Sequence, residues 1–188
     1  MHIIYLHGFC SSSASFKAQL VKAYVTEHPQ HSVFLPDLNH YPKQAIAQVE
    51  NHIKTLQGEQ WGLVGSSLGG FYASYLAEKY NKKAVVINPA VRPFELLESR
   101  LGEQKNFHSE QTFDLTDDHL QQLKSLHVEQ LSQASNFLLI TKTADEVLDY
   151  RLGIDFYRGA EQQVITGGDH SFADYADYLE TTFKFLRG

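Results

Sequence analysis

A serine framed by two glycines, Gly65-Ser66-Ser67-Leu68-Gly69, carries the strongest chemical signal in this sequence. The apolar run Trp61-Gly62-Leu63-Val64 leads into it, and Leu68, Phe71, Tyr75 and Leu76 follow as a helix-like pattern. That is the strand-turn-helix setting of a nucleophile elbow, in which a Cβ at either glycine would crowd the turn. The turn pushes the Ser67 hydroxyl outward. It also opens a helix whose first N–H groups lack intrahelical acceptors, so the Leu68 N–H is expected to meet the oxyanion of an acyl-transfer intermediate.

A serine hydroxyl is a weak nucleophile at neutral pH and needs a base, which in turn needs a group to orient it. The expected chain order is Ser, acid, His. Asp145 lies just beyond the apolar run Phe137-Leu138-Leu139-Ile140-Thr141, and His170 follows the last such run in Gly167-Gly168-Asp169-His170-Ser171-Phe172. Both positions fall at carboxyl ends of strands, on the same edge as Ser67. Glu146, Asp149 and Asp169 compete for the role of acid. Asp149 precedes Tyr150-Arg151-Leu152 and reads equally as a helix cap, while Asp169 is too close in sequence to His170 to turn easily onto its Nδ1. Through Nε2, His170 is expected to accept the Ser67 proton and later return it to the leaving group.

A second oxyanion donor is expected from Tyr5-Leu6-His7-Gly8-Phe9-Cys10-Ser11-Ser12-Ser13, where a strand runs into small residues. The backbone N–H near Phe9 is the candidate, and such a donor typically removes about 3–4 kcal/mol from the barrier. His7 reads first as a side chain that holds this loop, and second as a substrate contact. Nothing near Cys10 in sequence would lower its pKa, so it is a poor nucleophile. Arg92 suits a substrate carboxylate or the phosphate of a coenzyme A ester, or else a scaffold pair with Glu95. His-Glu-x-x-His, paired cysteines, Gly-x-Gly-x-x-Gly and a P-loop are all absent, so neither metal nor cofactor is expected.

The elements that must position these residues alternate along the chain. Apolar, β-rich runs near His2–Leu6, Ser32–Leu35, Trp61–Gly65, Ala84–Ile87, Asn136–Thr141 and Gln163–Thr166 read as six strands covered on both faces. Helical patterns run from about Ser13 to His28 with Phe16, Leu20 and Tyr24 on one face, and from Pro42 to Leu56 with Ile46, Val49, Ile53 and Leu56. A closing helix from about Phe172 to Leu186 carries Phe172, Tyr175, Leu179, Phe183 and Leu186. The expected class is α/β, a mainly parallel sheet of about six strands with helices on both faces, in one domain spanning residues 1–188. Residues 91–135 interrupt the alternation. They show no convincing strand and short helical patterns, one starting after Thr116, and read as a small helical lid over the carboxyl edge or as plain connecting helices.

The 188 residues are 43% hydrophobic and 20% charged, with a formal net charge of −6. With no Lys/Arg cluster, nucleic acid and anionic membrane surfaces are poor partners, and a small neutral or mixed substrate fits better. The start of the chain has no leader pattern, no run reaches 18 apolar residues, and the single cysteine agrees with a reducing compartment; a cytoplasmic location is the expectation.

Four blocks, Tyr5-Leu6-His7-Gly8-Phe9, Gly65-Ser66-Ser67-Leu68-Gly69-Gly70, Asn88-Pro89-Ala90-Val91-Arg92-Pro93-Phe94 and Asp145-Glu146-Val147-Leu148-Asp149-Tyr150, resemble the bacterial YqiA-type esterase family over nearly the whole length. The Asn-Pro-Ala-Val-Arg-Pro block is far more specific than the serine motif, which many α/β-hydrolases share. The resemblance implies a small α/β-hydrolase without a cofactor, acting on acyl esters or thioesters, with its triad on Ser67, Asp145 and His170. A peptidase on the same triad and a non-catalytic binding protein of this fold are the alternatives; oligomeric state is not readable.

Overall fold

Successive side chains along each central strand point to opposite faces and so divide between two cores. In the computed structural model, which describes residues 1–188, β1 (His2–Leu6), β3 (Trp61–Ser66), β4 (Ala84–Ile87) and β7 (Phe137–Lys142) are buried throughout. Ile4, Leu6, Leu63, Ala84, Val86, Phe137 and Leu139 face one core, and Ile3, Tyr5, Val64, Val85, Ile87, Leu138 and Ile140 face the other. Strands covered on both faces are uniformly apolar for this reason.

With β2 (Ser32–Phe34) and β8 (Glu161–Ile165) at the edges, the sheet order is β2-β1-β3-β4-β7-β8, every pair parallel. This is the α/β-hydrolase arrangement. Helices α2 (Pro42–Ile53) and α3 (Leu68–Tyr80) cover the first face, and α1 (Phe16–Glu27) with the C-terminal segment covers the second. Pro42 opens α2, where its missing N–H costs nothing.

Two helical expectations are corrected. Of the expected face of α1, Leu20 and Tyr24 pack half-buried against the second core, but Phe16 is exposed, and the fully buried positions are Ala18, Val21 and Val25. Phe172, Tyr175, Leu179, Phe183 and Leu186 are all buried, yet a single helix does not carry them. Phe172 takes φ 55°, a 3-10 turn spans Tyr175–Tyr178, and α7 covers only Leu179–Arg187.

The segment 91–135 also departs from the helical expectation. It holds a short α4 (Pro93–Leu96) and α5 (Asp117–Ser125), which begins after Thr116 with Asp117 and Asp118 in its first turn. Between them lies an antiparallel hairpin of β5 (Gly102–Lys105) and β6 (Thr112–Leu115). Its strands, Gly-Glu-Gln-Lys and Thr-Phe-Asp-Leu, are mostly exposed and polar, so they lack the apolar signature of the main sheet. α6 (Tyr150–Phe156) follows β7. No helix is long and apolar enough to cross a membrane.

Candidate active site

Close approach of backbone to backbone builds the turn at Ser67. A Cβ on Gly65 would lie 2.2 Å from Gly69 O, and one on Gly69 would lie 2.0 Å from Leu6 O, so neither position accepts a side chain. Ser67 itself sits at φ 56°, ψ −121°, a conformation that costs on the order of 1–3 kcal/mol and is held here by its surroundings. Its N–H donates to Ile87 O at 3.0 Å, and its carbonyl accepts from Gly70 N–H at 2.9 Å and Ala90 N–H at 3.1 Å. The turn is thus clamped between β4 and the start of α3, and the side chain is left to project.

From the carboxyl ends of β7 and β8 come the two residues that meet it. His170 Nε2 stands 3.1 Å from Ser67 Oγ, and His170 Nδ1 stands 2.8 Å from Asp145 Oδ2. The Asp145 side chain is 1% exposed; its other oxygen accepts from Val147 N–H and Leu148 N–H, both at 2.8 Å. Both oxygens of this buried carboxylate therefore accept hydrogen bonds, which fix its orientation toward the imidazole. Because Asp145 is an acceptor, Nδ1 carries the ring proton and Nε2 presents a lone pair toward the serine hydroxyl.

The rival acids have other employment. Asp149 caps α6, accepting from Arg151 N–H at 3.0 Å and from the Arg151 guanidinium, whose hydrogen bonds hold its carboxyl below the usual range. Asp169 accepts from Ser171 Oγ at 2.6 Å and Phe172 N–H at 2.9 Å, and these bonds likewise lower its pKa. Glu146 accepts from the backbone N–H of His170 at 3.0 Å, fixing the loop rather than the ring.

Sequence reasoning left Asn88 without a role, and the structure makes it the tie between three elements. It is 1% exposed, with φ 39° at the end of β4. Its Nδ2 donates to Asp169 O at 3.2 Å and His170 O at 3.3 Å, while its Oδ1 accepts from Lys142 N–H at 2.9 Å and Thr141 Oγ1 at 3.2 Å. One amide therefore spans the β7 end and the histidine loop. The signal available was the Asn-Pro step directly after an apolar run, which marks a strand end but not its contacts. Lys142 and Lys17 support the same loop. Lys142 Nζ is buried against the Phe172 ring at 4.6 Å and pairs with Asp174 at 2.5 Å, and Lys17 Nζ donates to Ser171 O at 2.6 Å. Burial pulls the Lys17 ammonium down to about 8, with the carboxylates of Asp169 and Asp145 acting in the opposite sense.

On the other side of Ser67 lies the loop after β1. A Cβ on Gly8 would be 3.6 Å from Ser67 Oγ, so the backbone of this loop passes beside the Ser67 hydroxyl. Phe9 N–H donates to no acceptor in the chain, and Leu68 N–H stands at the first position of α3, where no intrahelical acceptor exists. His7 is buried. Its Nε2 accepts from Leu38 N–H at 2.9 Å, which places the proton on Nδ1, donating to Gly8 O at 2.9 Å. Burial lowers its pKa below 6.5, with the bond to Gly8 opposing, and the ring serves as a neutral strut between two loops. Cys10 is buried nearby, and desolvation pushes its thiol up to about 11. Arg92 pairs with Glu95 at 2.7 Å, and its guanidinium lies 5.7 Å from the Phe94 ring.

A cavity of about 730 Å3 opens from Gly8, Phe9 and Leu68 toward the hairpin. Phe9 and Phe113 line it, whereas Phe71 lies in the core, Phe94 packs against the core and Phe107 is 76% exposed.

A family model described as an uncharacterised protein family (UPF0227) matches residues 2–187. The UPF0227 protein YcfP of Salmonella paratyphi B and that of Salmonella newport are each 27% identical over 116 residues, 56% of this chain and 59% of theirs. The aligned region thus spans about 59% of the length of those curated relatives. Among solved structures, Est1E from Butyrivibrio proteoclasticus superposes with a TM-score of 0.75 at 16% identity, covering 99% of this chain and 86% of that one. A putative hydrolase from Agrobacterium vitis S4 gives 0.76 at 16%, covering 98% and 87%. The monoacylglycerol lipase of Paleococcus ferrophilus gives 0.70 at 14%, covering 98% and 93%. At these identities the likeness establishes the α/β-hydrolase fold.

Proposed function

The chain belongs to the UPF0227 family, and from that premise and the geometry around Ser67 we propose that it is a serine hydrolase cleaving carboxylic esters through an acyl-enzyme. The hydrolase assignment is supported by its structural neighbours, which include esterases and lipases. The observation that carries the serine mechanism is the continuous line from Asp145 through His170 to Ser67, at 2.8 and 3.1 Å.

Chemistry on this line follows from the protonation states. As Ser67 Oγ attacks the ester carbonyl, its proton passes to His170 Nε2, and the resulting imidazolium is stabilised by the Asp145 carboxylate. The carbonyl oxygen becomes an alkoxide facing the N–H groups of Leu68 and Phe9, whose dipoles are fixed before the reaction begins. Collapse expels the alcohol, protonated by Nε2. Water then enters, gives its proton to the same nitrogen and releases the acid by the reverse route. The strained φ of Ser67 holds the nucleophile aimed at this point without the entropy cost of finding it.

The test is direct. A fluorophosphonate should label the native protein at Ser67 and leave Ser67→Ala unlabelled, with p-nitrophenyl acetate hydrolysis lost in parallel. Ester hydrolysis by Ser67→Ala at the native rate would overturn the assignment.

A further inference from the structure

The cavity beside the oxyanion N–H groups has an unusual lining for an ester site. Most of its 20 residues are polar, and they include no lysine and no arginine. The one acid is Asp37, whose Oδ1 accepts from Ser13 N–H at 2.7 Å. A phosphate-bearing leaving group such as coenzyme A would find no cation there and one carboxylate to repel it. Arg92, the arginine nearest in sequence role to a phosphate contact, is paired with Glu95 and lies outside this lining.

The lining also has an apolar part, from Phe9, Leu38, Leu68, Tyr72 and Phe113. A crevice between Phe71, Ala90, Val91, His127 and Phe156 has only about 10 Å3, room for less than one acyl chain segment. The cavity beside Phe9 and Leu68 has room for a bulky portion of the ester. Its floor is aromatic: Phe9 meets Phe113 edge-on at 6.1 Å, and His40 stacks on Phe113 at 4.7 Å and 16°. Around that wall stand Ser11, Asn39, His108, Gln111 and Thr112. The side chains of Ser11, His108, Gln111 and Thr112 make no hydrogen bond within the chain, leaving donors and acceptors free to converge on a guest. An aromatic face for C–H groups, many neutral hydrogen-bonding partners and no cation together describe a site for an uncharged polyol.

We propose that the alcohol portion of the substrate is a neutral, hydroxyl-rich group of sugar type carrying an acyl ester, seated between the β1 loop and the β5–β6 hairpin. This rests on the serine hydrolase reading above. The carbonyl would lie on Ser67, and the sugar would extend over Phe9 toward Phe113 and Gln111.

Matched esters separate the two readings. With p-nitrophenyl acetate as the reference for the acyl-transfer site, kcat/KM is compared for 6-O-acetylglucose, hexyl acetate, acetyl-CoA and palmitoyl-CoA. The sugar ester should exceed hexyl acetate and both coenzyme A esters by at least tenfold. His108→Leu/Gln111→Leu, and independently Ser11→Ala, should lower kcat/KM for 6-O-acetylglucose by tenfold and about threefold, leaving p-nitrophenyl acetate within twofold of native. Equal or faster turnover of hexyl acetate or either coenzyme A ester overturns the proposal while the hydrolase reading stands. So does an equal loss on both substrates in the variants. A native protein that cleaves none of these esters, p-nitrophenyl acetate included, overturns the hydrolase reading and this proposal with it.

Discussion

The two sides of Ser67 are built on opposite principles. Toward β7 and β8, polar groups are buried and saturated: Asp145 has three donors, Asn88 serves four partners, and Lys142 is enclosed by Phe172 and Asp174. Toward the β5–β6 hairpin, polar side chains are exposed and many have no partner in the chain. A saturated buried network has one low-energy arrangement, which suits groups that must keep hydrogen-bond distance through a reaction. An open polar cleft retains its hydrogen-bonding capacity for a guest. Positioning is spent on one side and recognition is kept on the other.

Breaking the saturated side should give the largest effects. Gly69→Ala forces a Cβ to 2.0 Å from Leu6 O, and it should prevent recovery of folded protein or lower Tm by more than 10 °C, read by circular dichroism. Ser67→Ala should cut kcat for p-nitrophenyl acetate by about 10^4-fold or more with its Tm retained. Asp145→Asn should cost about 10^3- to 10^4-fold in kcat, since the amide favours the wrong tautomer of His170, while Asp149→Asn stays within threefold because asparagine also caps a helix. If the second variant collapses and the first does not, Asp149 is the orienting acid.

Asn88 sharpens the comparison at intermediate size. Asn88→Asp replaces a donor by a carboxylate facing the carbonyls of Asp169 and His170, so kcat should fall about tenfold or more with KM little changed. A change in KM alone would place Asn88 in substrate binding instead.

The smallest effect belongs to pH. His7 is neutral in the fold with a pKa below 6.5, so between that lowered value and 6.5 the unfolded chain binds more protons than the folded one. Stability contributed by this ring is complete above pH 6.5 and declines as pH falls toward the folded-state value. His7→Gln should flatten that part of the stability curve measured by urea unfolding between pH 7 and 5. His2, His31, His52, His119 and His127 are also lowered by burial and keep part of the slope.

Much of the frame was legible because burial on both faces leaves an unmistakable pattern. The runs at residues 2–6, 61–65 and 84–87 are strands as read, and Pro42 and Thr116 mark helix starts. The hairpin escaped because exposed strands pair through backbone groups, which side-chain hydropathy does not report. The single closing helix was misread for a related reason: its apolar residues are all buried, but the positive φ at Phe172 and the 3-10 turn after it are imposed by packing against Lys142 and the sheet.

The sequence by itself determined which groups are candidates for acyl-transfer chemistry: a serine between glycines, an acid and a histidine after successive apolar runs. Side-chain type and order are local properties. Tertiary structure alone decided that Asp145, rather than Glu146, Asp149 or Asp169, reaches His170 Nδ1, since neighbouring carboxylates differ only in where the loop turns them. It also decided that Asn88 binds the β7 end to the histidine loop, and that the cavity beside the Phe9 and Leu68 N–H groups is lined mostly by polar residues and by neither lysine nor arginine. Those facts arise from residues dozens of positions apart meeting at one edge of the sheet, and chain proximity carries no record of that meeting.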